Sequence, residues 1–428
     1  MMKSSWQLKE PNTLCKSNVK TSATSQWIVT REDDKIDSRS FQVYTPPNFC
    51  ATGAQQEDAP LRIIMAFHGY GGRPQQEINK WKNVANALNS IIIAPMGTET
   101  VENHKLGWNA IECCGDPVLN EIDDLDFAIH GVMEVFLNKL NSSSSGNNIG
   151  KNKCTHVIAT GFSNGGFFAS LLGIAKDRPE WLVGIVPTGG YQYDNNAYSN
   201  THQPLAVFMH HGGRDSVVNP NGCCSANDPK QLKKGSKSNC FFDIGVKQEE
   251  CHSVQSVFHI WSQINGCKSS NDGSRSIMEG NSDNSVESQC FLGNDCIEPT
   301  NFCIWTNEGH SWGRTFPGVG LMQPWMEDVF TQAETKSLER HDDSNVRSTP
   351  QHDSRIGKST FLSASMILLG ITVMSIAYSF LKRRNFIRIR GKRKHSEDRQ
   401  VFEEEMMVLS SESEKRRQPQ RNHEHGLV

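Results

Sequence analysis

Three residues able to carry acyl transfer occur in the order nucleophile, acid, base: Ser163 within Gly161-Phe162-Ser163-Asn164-Gly165, then Asp215, then His310. A serine hydroxyl is a poor nucleophile by itself; an imidazole must take its proton and a carboxylate must orient that imidazole. The G-x-S-x-G spacing suits a sharp strand-to-helix turn that lifts the hydroxyl clear of a sheet. A β-carbon at Gly161 or Gly165 would meet neighbouring backbone in such a turn. The same pentapeptide also serves as a tight structural turn, so its surroundings decide. Val157-Ile158-Ala159 reads as a buried parallel strand, and Phe167 to Lys176 reads as the helix that follows.

The acid and base must likewise leave the ends of strands. Leu205 to Met209 is an apolar run that ends in His210-His211-Gly212-Gly213-Arg214-Asp215, whereas Asp228 and Asp243 follow no comparable run. Phe302-Cys303-Ile304-Trp305 ends in Asn307-Glu308-Gly309-His310, with Gly309 free to bend the backbone and aim the imidazole. His68 and His211 precede glycines at strand ends, where an imidazole packs and hydrogen-bonds the loop. Acyl transfer also needs donors for the oxyanion. The backbone N–H of Asn164 is one, and Ile63 to Phe67 runs into His68-Gly69-Tyr70-Gly71-Gly72, which offers the N–H of Tyr70 as the other. This glycine-rich loop lacks the lysine of a P-loop and the G-x-G-x-x-G spacing of a dinucleotide site.

The elements needed to hold these loops are legible as an alternation of strands and helices. Strands fall at Phe41 to Tyr44, Arg62 to Phe67, Ile91 to Pro95, Thr155 to Thr160, Leu182 to Pro187, Leu205 to Met209 and Phe302 to Thr306. The expected fold class is α/β, of the α/β-hydrolase type, with a mostly parallel central sheet and helices on both faces. Asp123 and Asp124 precede the amphipathic segment Leu125 to Leu137 and read as helix N-caps. Trp108 either lines a pocket or fills a core gap; it is taken, with Trp312, as a pocket residue. Asn141 to Asn152 and Lys268 to Gln289 are polar, lack periodicity and read as exposed inserts.

Several strings together resemble a known family: His68-Gly69, Gly107-Trp108-Asn109, Cys113-Cys114-Gly115, Asp123-Asp124, Gly161-Phe162-Ser163-Asn164-Gly165-Gly166, His211-Gly212 with Asp215, and Gly309-His310-Ser311-Trp312. They look like the esterase family that contains polyhydroxybutyrate depolymerases and feruloyl or acetylxylan esterases, over roughly Ser38 to Gly318. The resemblance implies secreted hydrolysis of carboxylic esters on polymers, with Ser163, Asp215 and His310 as the triad. Tyr70, where the depolymerases often carry a small residue or cysteine, and Gly213-Arg214, in place of a less basic pair, depart from the pattern and leave the substrate open.

Beyond the catalytic domain, assigned to residues 31–331, the composition changes twice. Residues 332–358 are polar and charged and read as a flexible stalk. Residues 359–381 then form a membrane-spanning helix, of which Phe361 to Leu381 gives 21 uncharged residues, enough for a hydrocarbon layer of about 30 Å. Lys382-Arg383-Arg384 opens a basic, then polar tail over 382–428, which places the tail in the cytosol and the catalytic domain outside or in a lumen. The competing reading of the apolar segment is a buried core helix. All 13 cysteines precede that segment and none forms a C-x-x-C pair, so disulfides are expected, with at least one cysteine unpaired or intermolecular. Asn141-Ser142-Ser143 is a glycosylation sequon. Residues 1–30 hold no apolar run long enough for a secretory signal; a signal upstream of Met1 is the expectation, the alternative being a domain left in the cytosol.

A net charge of −3 gives no basic face for nucleic acid, and the clustered basic residues are juxtamembrane. No metal or cofactor is expected. The sequence thus points to a serine esterase that acts on an ester-bearing polymer or a small ester. A polyhydroxyalkanoate depolymerase, a serine peptidase on the same fold and a catalytically silent binding module are the alternatives.

Overall fold

In the computed structural model, the described residues are 6–9, 22–31, 38–47, 49, 60–100, 104–111, 113, 116–142, 154–192, 195–199, 203–222, 252–268, 275–279, 286–311 and 318–347. The strands are β1 (Trp6–Leu8), β2 (Ala23–Arg31), β3 (Ser38–Thr45), β4 (Leu61–Phe67), β5 (Ile91–Pro95), β6 (Thr98–Glu99), β7 (Leu106–Gly107), β8 (Thr155–Phe162), β9 (Leu182–Thr188), β10 (Ala206–Gly212), β11 (Arg275–Glu279), β12 (Val286–Leu292) and β13 (Thr300–Trp305). Among the described residues, eleven of them form one sheet in the order β1-β2-β3-β5-β4-β8-β9-β10-β13-β12-β11. The six central strands from β5 to β13 pair in parallel, and the strands at both margins pair antiparallel.

A strand buried on both sides needs apolar residues at every position rather than at alternate ones. β4 shows the consequence: Ile63, Met65 and Phe67 enter one core cluster while Ile64 and Ala66 enter the other. The first cluster is closed by three helices. They are α2, which is α-helical at Asp124–Asp126 and Val135–Ser142 and wound as a π-helix over Phe127–Glu134, α3 (Asn164–Ile174) and α4 (Val254–Ile264). The second is closed by α1 (Pro74–Leu88), through Ile78, Trp81, Val84 and Leu88, and by α5 (Gly318–Arg347), through Met322, Trp325, Met326, Val329 and Phe330. Every residue of α3 is buried, which explains why its sequence is apolar all round. These helices on both faces of a mostly parallel sheet are the α/β-hydrolase arrangement, and each of the seven expected strands is present.

Four boundaries differ from expectation. β1 and most of β2 come from residues 1–30, so the sheet starts earlier than position 31. The segment 332–358, read as a stalk, is helical to Arg347. The buried face of α5 nucleates that helix. Gln332 to Arg340, mostly of good helix propensity, then extend it, fastened by Arg62 on Glu334 (2.6 and 2.8 Å) and Lys336 on Glu298 (2.5 Å). Within Lys268 to Gln289, β11 and β12 form a hairpin that continues the sheet onto β13, where Cys290 is disulfide-bonded to its cross-strand partner Cys303. Asn141, placed on an exposed insert, lies in the last turn of α2. The apolar segment 359–381 and the tail 382–428 lie outside the described residues; among those described, no helix is long and apolar enough to cross a membrane.

The turn from β8 to α3 admits no β-carbon. One at Gly161 would fall on the carbonyl of Gly165, and one at Gly165 on the carbonyl of Phe67 at the end of β4. Gly165→Ala therefore forces two strand ends apart. Its expected cost is about 2–3 kcal/mol of folding stability, read from urea denaturation, and a variant as stable as the parent would contradict this packing.

Candidate active site

Ser163 sits at the apex of that turn with φ 56° and ψ −123°, a left-handed conformation that a non-glycine residue adopts only when its surroundings impose it. They do so here through two hydrogen bonds: Ser163 N–H donates to the Thr188 carbonyl (2.9 Å), and Phe167 N–H donates to the Ser163 carbonyl (3.0 Å). The hydroxyl is thereby presented to His310, whose Nε2 lies 2.8 Å from Ser163 Oγ. His310 Nδ1 lies 2.7 Å from Asp215 Oδ2. An ionised carboxylate only accepts, so Nδ1 carries the proton and Nε2 keeps its lone pair for the serine O–H. The three residues expected from sequence thus form one hydrogen-bonded chain, with the Asp215 carboxylate buried and His310 partly open.

The loops that carry acid and base are bonded to each other. Gly213 N–H donates to the Trp305 carbonyl (2.7 Å) and Arg214 N–H to the Glu308 carbonyl (2.8 Å). A β-carbon at Gly212 would strike the backbone of Glu308 and Gly309. Asp215 Oδ1 accepts the N–H groups of Val217 and Val218 at 2.8 Å each, which leaves Oδ2 for the imidazole. The Phe162 ring packs against His310 with centroids 4.9 Å apart.

On the other side of the serine, the loop after β4 is fixed by His68. Its Nε2 accepts the N–H of Gly97 (3.0 Å), so Nδ1 bears the proton and donates to the Gly69 carbonyl (2.9 Å). Burial pushes the imidazole down to about 4, which keeps it neutral. A β-carbon at Gly69 would lie 3.4 Å from that of Ser163, so Tyr70 follows directly on a residue packed against the nucleophile. His68 and His211 both hydrogen-bond a loop, as expected: His211 Nε2 is 2.8 Å from the Val218 carbonyl.

Asn164, expected only as a backbone donor, does more. Its buried side chain accepts the N–H of Trp108 (2.8 Å) and donates to the carbonyls of Trp108 (3.1 Å) and Cys113 (3.2 Å). The available signal was one amide side chain at the head of an otherwise apolar helix. Trp108 itself is wholly buried, stacked on Phe168, edge-on to Phe67 and donating Nε1–H to the His68 carbonyl (2.9 Å). It fills the core and does not line a pocket, which corrects the expectation. Asp123 caps α2 by accepting the N–H of Asp126 (2.9 Å), as expected. Asp124 does not cap: it is buried, pairs with Arg39 (2.6 Å) and accepts the N–H of Asn109 (2.6 Å). Burial raises its carboxyl and the Arg39 charge opposes that rise. Trp312 lies outside the described residues.

Cys267–Cys296 and Cys290–Cys303 are disulfides, Cys113 is disulfide-bonded, and Cys154 is free among the described residues. The described residues hold no cluster of three metal-ligating side chains. A cleft of about 690 Å³, lined by Thr155, His156, Leu182 and Leu205, opens at the beginnings of β8, β9 and β10, the end of the sheet opposite the triad.

No protein-family model matches the chain, and no curated protein matches it. Among solved structures, the chain is similar to an S-formylglutathione hydrolase from Agrobacterium tumefaciens, at 10% identity and TM-score 0.39 over 77% of this chain and 99% of that one. It is also similar to an acetyl xylan esterase from Aspergillus awamori, at 12% identity and TM-score 0.39 over 71% and 98%. A ferulic acid esterase matches at 12% identity and TM-score 0.40 over 72% and 99%.

Buried neutral histidines make stability depend on pH. Burial holds His68 at about 4 and His210 at about 3, against an ordinary 6.5. As pH falls through 6.5 the unfolded chain takes up these protons while the folded chain does not, so the stability present above 6.5 is lost on acidification. The expected loss approaches ~1.4 kcal/mol per pH unit for each such histidine. His210→Phe should flatten the slope of unfolding free energy between pH 6.5 and 4; an equal slope in the variant would contradict this.

Proposed function

We propose that the chain is a serine carboxylic-ester hydrolase. The observation that carries this reading is the unbroken chain from Ser163 Oγ through His310 to Asp215, at 2.8 and 2.7 Å. In the proposed cycle His310 Nε2 takes the serine proton as Oγ bonds to the ester carbonyl carbon. The backbone N–H groups of Tyr70 and Asn164 receive the oxyanion. The tetrahedral intermediate collapses, the C–O bond of the alcohol breaks, and His310 returns the proton to the departing oxygen. Water repeats the sequence on the acyl-enzyme and releases the acid.

For the substrate, the motif resemblance favours esters carried on polymers, feruloyl or acetyl groups above hydroxyalkanoates. For location, we propose a single-pass membrane protein with its catalytic domain outside the cytosol. The disulfides support an oxidising compartment, and the apolar 359–381 segment followed by basic residues supports the topology.

The test is initial hydrolysis rates for the chain made in an oxidising host, on p-nitrophenyl acetate, methyl ferulate, acetylated xylan and hydroxybutyrate oligomers. Turnover of one ester class is expected. Ser163→Ala should lower it by at least about 10³-fold with an unchanged unfolding midpoint. Asp215→Asn should lower kcat by about 10³–10⁴-fold, because the imidazole loses the acceptor that selects its tautomer. A Ser163→Ala variant with parental turnover, or a folded parent that cleaves peptides and no ester, would overturn the reading.

A further inference from the structure

A carboxylate orients an imidazole only as well as the carboxylate itself is held. Asp215 leaves β10 on a short loop. Two backbone N–H groups fix its Oδ1, while Oδ2 faces His310 Nδ1 at 2.7 Å. A second imidazole stands on the same oxygen: His211 Nε2 lies 3.5 Å from Asp215 Oδ2 and 2.8 Å from the Val218 carbonyl. Both neighbours of that nitrogen are acceptors, so it must carry the ring proton. The His211 ring is wholly buried and meets Tyr191 edge-on at 5.5 Å. The Tyr191 hydroxyl in turn donates to the Asn219 carbonyl (3.1 Å). His211 near the end of β10 and Tyr191 just after β9 thus grip the acid loop at Val218 and Asn219.

We propose that His211 is a positioning residue of the triad: its Nε2–H is shared between the Val218 carbonyl and Asp215 Oδ2, fixing both the acid loop and the carboxylate that aims His310. This rests on the hydrolase reading above. It goes beyond packing, because a donor on Oδ2 draws on the same carboxylate charge that stabilises the imidazolium form of His310. Burial holds His211 neutral; Asp215 opposes that effect and His310 adds to it. Among the described residues, other ionisable groups around the site include Arg214, exposed on the acid loop, Glu308 on the base loop, Tyr70, Tyr191, and Lys80, which lies over the Phe162 ring.

The test uses the full chain and a fluorophosphonate, which needs no knowledge of the natural substrate. Ser163 Oγ bonds to phosphorus, the P–F bond breaks, fluoride leaves and His310 takes the serine proton. The rate constant for labelling is followed against pH in the parent, His211→Phe and His211→Gln. Phe keeps a ring without the N–H, and the rate should fall about tenfold. The acid limb of the profile should move up by about half a unit, since His310 then has the carboxylate to itself. Gln restores an N–H and should recover both. A slower folded His211→Phe variant with an unmoved acid limb, or a Gln variant that behaves as Phe does, would reduce His211 to a packing residue and overturn the proposal. Nitrogen NMR of labelled histidines in the parent provides a measurement independent of any variant's folding: the proton is expected on Nε2 of His211, and its presence on Nδ1 would overturn the proposal. A parent whose Ser163 is never labelled would instead defeat the hydrolase reading and this inference with it.

Discussion

Backbone meeting backbone at glycine is the constraint on which the site depends. At Gly161 and Gly165 the β8–α3 turn closes on itself and on the end of β4, and a β-carbon at Gly190, after β9, would land on the Ser163 carbonyl. The ends of three adjacent parallel strands therefore meet around one serine, with no room for a β-carbon at these glycines. That crowding sustains the left-handed conformation of Ser163. It also sets the spacing between the nucleophile and the loop that carries Tyr70. A second contact of the same kind, Gly212 against Glu308 and Gly309, joins the acid loop to the base loop. Contacts at Gly161, Gly165, Gly190 and Gly212 thus hold the loops after β4, β8, β9, β10 and β13, and the hydrogen bonds among Ser163, His310 and Asp215 follow.

Buried polar side chains hold what the glycines bring together. His68, Asn164 and Asp124, which pairs with Arg39, each bond to backbone groups of a neighbouring loop, and Asp215 bonds to backbone groups of its own loop. Each such bond contributes only about 1 kcal/mol net, but an orphaned buried partner costs more than that. The loops are consequently hard to displace singly. Aromatic packing of Trp108 on Phe168 and Phe67 supports the same set of loops from below.

Much of this was legible in the sequence because the central strands are buried on both faces and so write continuous apolar runs. Ser163, Asp215 and His310 could be grouped from the sequence because each follows such a run or lies within a glycine-flanked turn, and the structure brings the three within hydrogen-bond distance. Trp108 misled because a tryptophan among glycine and asparagine carries no periodicity, and only the Asn164 side chain and the His68 carbonyl reveal that it is internal. Asp124 misled for a related reason: its partner Arg39 lies far away in sequence, on a strand. The margins were least legible. β1 and β2 pair antiparallel at the sheet's edge, β11 and β12 come from a polar stretch, and the polar end of α5 is specified by its ion pairs with residues distant in the chain rather than by a hydrophobic stripe.

We propose that Ser163 becomes covalently acylated because His310 and Asp215 activate it. The most direct test is acid-quenched mass mapping of the chain during turnover of p-nitrophenyl acetate. An acetyl adduct is expected on the peptide containing Ser163, lost on further incubation and absent from His310→Ala. Turnover with the acetyl group on another residue, or an adduct on Ser163 that forms equally well without His310, would contradict the account.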